Sequence, residues 1–196
     1  MASPVGHSLI GLAAGHLTGR HLPVATWGWF WFVLLTANAA DLDFVPGLLV
    51  GDMNRFHHQA SHSLAAAAMF GVVVAVVARR YNCSARAWGL SGCAIYASHL
   101  AGDVIAADYG APFGIPLWWP FSMDYVISPI PVFSSIHHGD ASDTNLRVLA
   151  QIFSAHNLGA IGREIMLIAP LLLGTWYMRR RTVNDRTVTP DQAHKD

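Results

Sequence analysis

The sequence predicts an all-α fold: a polytopic membrane bundle of about five helices, covered at one end by a proline-rich extracytoplasmic cap. Hydrophobic residues make up 53% of the 196 residues and charged residues only 12%, whereas soluble domains carry roughly 25% charged residues. The apolar residues gather in five stretches, and the basic residues concentrate in alternate connecting segments. Together these patterns favour lipid as the surroundings of the chain.

The five stretches cover residues 5–19, 23–40, 63–78, 88–107 and 161–178. Each has about 15 to 20 residues, near the ~20 that a helix needs to cross a bilayer. Pro23 opens the second stretch, where a missing N–H does no harm, and arginines close the third and fifth. The first and third are short and the fourth contains His99 and Asp103, so a soluble helical bundle is the alternative.

Three of the segments outside these stretches have a recognisable character. Residues 108–145 contain five prolines and are expected to form an irregular cap at one end of the bundle, because irregular backbone is not tolerated against lipid. Residues 146–153 have apolar side chains at helical spacing and follow a capping region at 142–145, which predicts a short interfacial helix. Residues 182–196 are polar and predict a disordered cytoplasmic tail after a membrane domain of residues 1–181.

The basic residues are distributed unevenly when the five stretches are taken as alternating spans. One side receives Arg20, Arg79, Arg80, Arg86, Arg179, Arg180, Arg181, Arg186 and Lys195, and the other receives Arg55, Arg147 and Arg163. The positive-inside rule assigns the first side to the cytoplasm. We therefore expect a bacterial inner membrane protein, without a cleaved signal peptide because no basic residue precedes the first stretch. A disulfide between Cys83 and Cys93 is not expected, and the zero net charge indicates no nucleic-acid partner.

Most acidic residues and histidines fall on the opposite, arginine-poor side. Asp41 and Asp43 end the second stretch, His57, His58 and His62 open the third, His99 and Asp103 lie near the end of the fourth, and His7 begins the first. His58 and His62, like His99 and Asp103, are four residues apart, so on a helix each pair shares one face. The sequence predicts that these side chains converge on the outer side of the membrane.

Imidazole nitrogens and carboxylate oxygens are ordinary zinc ligands, and two neighbouring ions can clamp a phosphoester. Asp103 lies in an apolar helix, where an ionisable group is costly unless it is paired or functional. The predicted metal ligands are His7, Asp41, Asp43, His57, His62, His99 and Asp103, and the predicted catalytic residues are His58 and Asp103. This set exceeds the needs of one zinc, so two or more ions are expected.

Other interpretations remain open. His137, His138 and Asp140 are either further ligands or part of a polar loop, and His156 is expected to be structural. Ser61 or Ser63 would serve a serine hydrolase, although the chain has no Gly-x-Ser-x-Gly turn. A metal-ion transporter, or a membrane protein that binds metal without catalysis, would also place His and Asp in the membrane.

The order and spacing of these residues resemble the membrane-bound metal-dependent hydrolases, a YdjM-like family also described as LexA-binding and inner-membrane-associated. The matching pieces are His7, Asp41 with Asp43, residues 57–63, His99 with Asp103, and residues 114–121. His58 stands where the family has Arg, Ser61 replaces Thr, and residues 108–113 resemble an insertion. Arg55 offers a replacement for the missing guanidinium.

The resemblance implies a multi-helix membrane hydrolase, distantly similar to zinc-dependent phospholipases C. We expect it to act on a phosphoester, such as a lipid headgroup or lipid-linked phosphate, through a metal-activated water. His58 is one candidate for the general base. The expected partners are membrane lipid or lipid-linked substrate, and the sequence indicates no oligomeric state.

Overall fold

The computed structural model describes residues 1–19, 26–110, 112–137 and 144–188 and is helical throughout its regular parts. Within those residues no β-strand forms, and the only β contacts are two isolated bridges, between Ala106 and Phe133 and between Ile115 and Val126. The predicted all-α class is confirmed.

Seven α-helices follow one another along the described residues. They are α1 (Pro4–Thr18), α2 (Thr26–Ala37), α3 (Phe44–Leu49), α4 (Leu64–Arg80), α5 (Ala85–Val104), α6 (Asn145–Ile152) and α7 (Ala155–Val188). Single turns of 3-10 helix cover Ala40–Asp43, Met53–Phe56 and Ala60–His62. The side chains of Ser3, Ser63 and Ser84 accept backbone N–H groups at the starts of α1, α4 and α5, which satisfies donors that the helices leave unpaired.

Helices α4 and α5 form the most extensive helix pair. A Cβ atom at Gly71 would lie 2.8 Å from the carbonyl oxygen of Gly89, and one at Gly89 would lie 2.9 Å from the carbonyl oxygen of Gly71. This backbone approach therefore requires glycine on both helices. Helix α1 packs against α2, α5 and α7, so it lies in the middle of the bundle and carries His7 into its interior.

The predicted stretches and the observed helices differ at two places. The second stretch leaves the α-helix at Ala37 and continues through a 3-10 turn into α3, a helix that the sequence did not predict. Helix α7 begins at Ala155 and runs to Val188, so residues 182–188 are helical where a disordered tail was predicted. Residues 189–196 lie outside the described residues. The interfacial helix predicted at 146–153 corresponds closely to α6.

Few of the described helices are both long enough and apolar enough to cross a membrane. Residues 155–181 of α7 are long and apolar enough to cross a bilayer, and Trp27–Ala37 with Ala40–Leu49 would make a second span, bent by 56°. Helix α1 has 15 residues and at 1.5 Å per residue reaches about 22 Å, short of the ~30 Å core. The predicted set of five spans is therefore not confirmed, although α4 and α7 expose large apolar side chains such as Val72 and Leu173.

The predicted cap is irregular and attaches to the end of α5. The backbone N–H of Ser128 donates to the carbonyl of Val104, and that of Ala107 donates to the carbonyl of Phe133. The cap thus lies at the end of α5 that carries His99 and Asp103. Residues 111 and 138–143 of this segment lie outside the described residues.

Candidate metal centre

The structure brings the predicted ligands together from four parts of the chain. They come from α1, from the 3-10 turn after α2, from the segment between α3 and α4, and from the last turns of α5. His99 and Asp103 share a face of α5 as predicted. His58 and His62 do not share a helical face, because 3-10 turns and bends occupy residues 53–63 and α4 begins only at Leu64. That local expectation was wrong, although both residues reach the cluster.

The innermost group consists of His62, His99 and Asp103, all buried. The Nε2 atoms of the two histidines lie 3.2 Å apart. The Oδ2 atom of Asp103 lies 3.1 Å from Nε2 of His99 and 3.6 Å from Nε2 of His62. Three potential ligand atoms therefore face one small volume.

The Nδ1 atom of His99 is hydrogen-bonded to the carbonyl oxygen of Ala37 at 2.8 Å. A carbonyl can only accept, so Nδ1 carries a hydrogen, and Nε2 is the nitrogen that faces the cluster and could bind an ion. The Nδ1 atom of His62 lies 3.1 Å from Oδ2 of Asp43, which fixes the same tautomer. A histidine held by a hydrogen bond at one nitrogen, with its other nitrogen facing the ion, is the usual arrangement of a metal ligand.

Asp41 and His7 complete the inner wall. Oδ1 of Asp41 lies 3.5 Å from Nε2 of both His62 and His99. The ring of His7 stacks on that of His99 with centroids 3.7 Å apart, and its Nε2 lies 3.3 Å from Oδ1 of Asp103. Residues that sequence analysis assigned to separate stretches thus touch one another.

Asp43 organises the outer side of the cluster. Besides approaching His62, its carboxylate accepts from Nδ1 of His57 at 2.9 Å and from the hydroxyl of Ser61 at 2.7 Å. The Nε2 atom of His57 lies 3.1 Å from the sulfur of Met1. Asp43 therefore orients two histidines at once, a role that the sequence did not distinguish from that of a ligand.

Several buried polar atoms of the cluster have no hydrogen-bond partner. They are both oxygens of Asp41, Oδ2 of Asp103, both ring nitrogens of His7 and Nε2 of His58. A buried polar group without a partner costs free energy, and an ion is one of the usual reasons for such a group in a native protein. The donor set fits zinc in kind, and it fits in spacing because four triplets have ligand atoms within 4.8 Å of one another. Those triplets are His57, His58 and His62; His7, Asp41 and His99; His62, His99 and Asp103; and Asp41, Asp43 and His57.

His58 adopts a left-handed backbone conformation, with φ of 56°. This conformation is uncommon for residues other than glycine, and such strain concentrates at functional sites. Its ring lies 4.1 Å from that of His57 and 4.8 Å from that of His62, measured between centroids. The segment therefore holds a third imidazole at the edge of the cluster.

The histidines of this segment differ in electrostatic environment. Burial lowers the pKa of His57, although Asp43 opposes the effect, and burial lowers the pKa of His58 well below its ordinary value. Burial also disfavours the charged form of His62, but the carboxylates of Asp41 and Asp43 outweigh it and raise the pKa of His62. The unprotonated ring is therefore favoured at His57 and His58, whereas at His62 the neighbouring carboxylates favour the protonated ring, so that a metal ion would compete with a proton there.

Glu164 was not among the predicted site residues. It is fully buried in α7, and its carboxylate accepts from both the backbone N–H and the hydroxyl of Ser3. Next to this anchor, the N–H of Ala2 donates to Oδ1 of Asp103 at 3.1 Å. Glu164 thereby fixes the start of α1, which carries His7. The sequence carried a signal that could have identified Glu164, because it is an acidic residue in an apolar stretch, as Asp103 is.

The remaining candidates are His137, His138, Asp140, His156 and the two serines. The rings of His137 and His156 stack with centroids 3.9 Å apart, and Nε2 of His156 donates to the carbonyl of Ser135, so His156 holds the cap as expected. His138 and Asp140 lie outside the described residues. The hydroxyl of Ser61 donates to Asp43, and that of Ser63 caps α4, so the structure gives both serines roles other than nucleophile.

A family model described as YdjM inner membrane protein matches residues 1–182. The chain belongs to this family. The matched range contains every residue of the cluster, and the family description agrees with the membrane character inferred from composition and with α7 as a candidate span. No curated protein and no solved structure matches the chain.

Proposed function

We propose that this protein is a metal-dependent hydrolase embedded in the inner membrane, acting on a phosphoester such as a lipid headgroup or lipid-linked phosphate. The observation that carries the proposal is the convergence of buried, unpartnered carboxylate oxygens and imidazole nitrogens from separate segments of the chain. In a structural ion-pair network these atoms would hydrogen-bond to one another, whereas here contacts of 3.1 to 3.6 Å leave Asp41, His7 and Oδ2 of Asp103 without a hydrogen bond.

Asp41, His62, His99 and Asp103 would hold one ion, with His7 beside them. Asp41 and His57 offer ligands for a second, and Asp43 orients His57 and His62. When bound there, zinc would supply Lewis acidity that activates a water and stabilises negative charge on a phosphoester.

The protein's own residues supply the remaining chemistry. We assign His58 the role of general base, which would take a proton from an attacking water; in support, its Nε2 is buried without a hydrogen-bond partner and its ring lies beside those of His57 and His62. The N–H of Ala2 holds Oδ1 of Asp103, which leaves Oδ2 directed at His62 and His99. The fixed side chains reduce the reorganisation that the reaction requires.

The test is metal analysis of detergent-purified protein combined with a screen of phosphodiester and phospholipid substrates. We expect about one or two zinc ions per chain, and we expect Asp103→Asn to abolish hydrolysis while the helical content is retained. Asp124→Asn is the matched control, since Asp124 is an exposed carboxylate that accepts from Ser122. Full activity in metal-free protein would refute the proposal.

One observation favours a second candidate, a metal-ion transporter. Asp41 and Asp43 lie where two apolar helical segments meet at 56°, and broken helices often form ion sites in transporters. Metal flux into proteoliposomes without hydrolysis would support this alternative. Hydrolysis without flux would exclude it.

We also propose the five-span arrangement with the metal centre outside the cytoplasm, on the basis of the uneven arginine distribution. A membrane-impermeant thiol reagent tests it in intact cells carrying Cys93→Ala. The exposed Cys83 precedes α5 and should react only after permeabilisation. Tyr109→Cys, at an exposed position in the cap, should react without it, and the reverse pattern would overturn the orientation.

A further inference from the structure

A cavity of about 580 Å³ adjoins the metal centre. His57 and His58 form part of its wall, together with Arg55 and Gln59 of the same segment. The cap supplies the other side, including Tyr109 and Tyr125. The cavity is thus a space that a ligand can enter beside the proposed catalytic residues.

Arg55 is the one arginine or lysine among the described residues of this wall, and its guanidinium can pair with an anion. Asp108 is the wall's one described carboxylate, and both oxygens already accept hydrogen bonds from the N–H groups of Gly110 and Gly114. Arg55 is exposed, and among the described residues no carboxylate lies within ion-pair distance of it. A guanidinium presents paired N–H donors that match the oxygens of a phosphate.

The imidazole of His58 is a second, independent indication of a ligand. Its Nε2 is buried without a hydrogen-bond partner, and its backbone is in the left-handed region. Burial without a partner is costly, so a group entering the cavity would satisfy this atom. His58 lines the cavity, and its ring lies beside the rings of His57 and His62 of the same segment.

Size and polarity narrow the ligand further. Pockets of roughly 300 to 1,000 Å³ enclose small ligands, so this cavity accommodates a headgroup while acyl chains would remain outside. The hydroxyls of Tyr109 and Tyr125 can donate to or accept from alcohol groups. We propose that the cavity binds a phosphate ester of a small polyol, with Arg55 pairing with the phosphate and the two tyrosines contacting polyol hydroxyls. This inference rests on the proposed hydrolase function.

The test measures binding to the detergent-purified full chain by calorimetry, both with added zinc and after EDTA treatment. The probes are sn-glycerol 3-phosphate, as a soluble ester, and dihexanoyl phosphatidylglycerol, as a lipid headgroup. We expect Arg55→Ala to weaken binding at least about tenfold, Arg55→Lys to weaken it less, and zinc content to stay unchanged. Arg86→Ala is the matched control, because Arg86 is exposed at the start of α5, far along the helix from His99 and Asp103.

The outcomes separate the two proposals. Equal binding by wild type and Arg55→Ala, or no binding of either probe by zinc-loaded wild type, would overturn the cavity assignment while bound zinc still supports the metal centre. If binding depends on Arg55 but the purified protein retains no zinc, the ligand assignment of the cavity would be supported and the metal-dependent hydrolase function would be contradicted. Preference for the lipid probe identifies a headgroup as the source of the phosphate ester, and equal affinity identifies the ester itself as the recognised group.

Discussion

The substitution Asp43→Asn tests whether the outer carboxylate orients the metal-binding histidines. Asp43 accepts hydrogen at both oxygens, from Nδ1 of His57 at 2.9 Å on one side and from Ser61 at 2.7 Å on the other, where Nδ1 of His62 also lies at 3.1 Å. Asparagine retains one oxygen and presents an NH₂ group in place of the other.

In either orientation the NH₂ group of asparagine faces the Nδ1–H of one histidine. That histidine must move its hydrogen to Nε2 or rotate, and the Nε2 lone pair is lost to the cluster. Substitutions of residues that orient metal ligands typically cost about 10- to 100-fold in metal affinity, or about 1.4 to 2.7 kcal/mol. We expect zinc affinity to fall by this amount in Asp43→Asn.

A chelator-competition titration on detergent-purified protein measures the change, and helical content confirms that the variant is folded. Asp124→Asn removes an exposed carboxylate elsewhere in the cap and should bind zinc as the wild type does. Unchanged zinc affinity in Asp43→Asn would refute the reasoning. A loss beyond about 1,000-fold would instead make Asp43 a direct ligand, because it would exceed the effect of orientation.

Three further predictions concern packing, anchoring and pH. Gly6→Ala should lower the free energy of unfolding by about 1 to 3 kcal/mol, because the added Cβ would lie 2.6 Å from the Glu164 side chain. A Cβ at Gly162 would have no atom within 4 Å, so Gly162→Ala, the control, should be neutral or stabilising by up to about 1 kcal/mol. Glu164→Gln should cost about 1.5 to 3 kcal/mol, since both hydrogen bonds from Ser3 lose their charged acceptor, and denaturation that matches wild type would contradict this role. Zinc affinity should increase as pH rises from about 6 to about 8, because the pKa of His62 is raised and zinc competes with its proton. The stability of metal-free protein should show the opposite trend, because the stabilisation from that proton is lost as pH rises through the raised pKa. A pH-independent zinc affinity would contradict the assignment of His62 as a ligand.

The predicted helices agree with the structure where the sequence carries both a capping residue and a long apolar run. Ser63 before α4 and the region before α6 are examples, since a side-chain acceptor and a periodic apolar face act over a few residues. The second stretch was extended to residue 40, three residues beyond the end of α2, because Ala39 and Ala40 continue its apolar character as far as Asp41. The bend there depends on contacts with other segments, including the hydrogen bond from His99 to the carbonyl of Ala37.

The sequence by itself determined the composition of the candidate site. The residue types, their order and their placement near the same ends of the apolar stretches were sufficient to select His7, Asp41, His62, His99 and Asp103, because helix geometry and the cost of ionisable groups in apolar segments act locally. The all-α class followed from the same patterns.

Only the tertiary structure decided which atoms of these residues face one another. It assigned Asp43 to orienting His57 and His62, placed His58 in a strained turn beside a cavity, and connected Glu164 to the start of α1 through Ser3. These relations join residues far apart in the chain, and they depend on the packing of α1 between α5 and α7. Local propensity does not encode such distances, because they arise when separate helices bury their faces against one another.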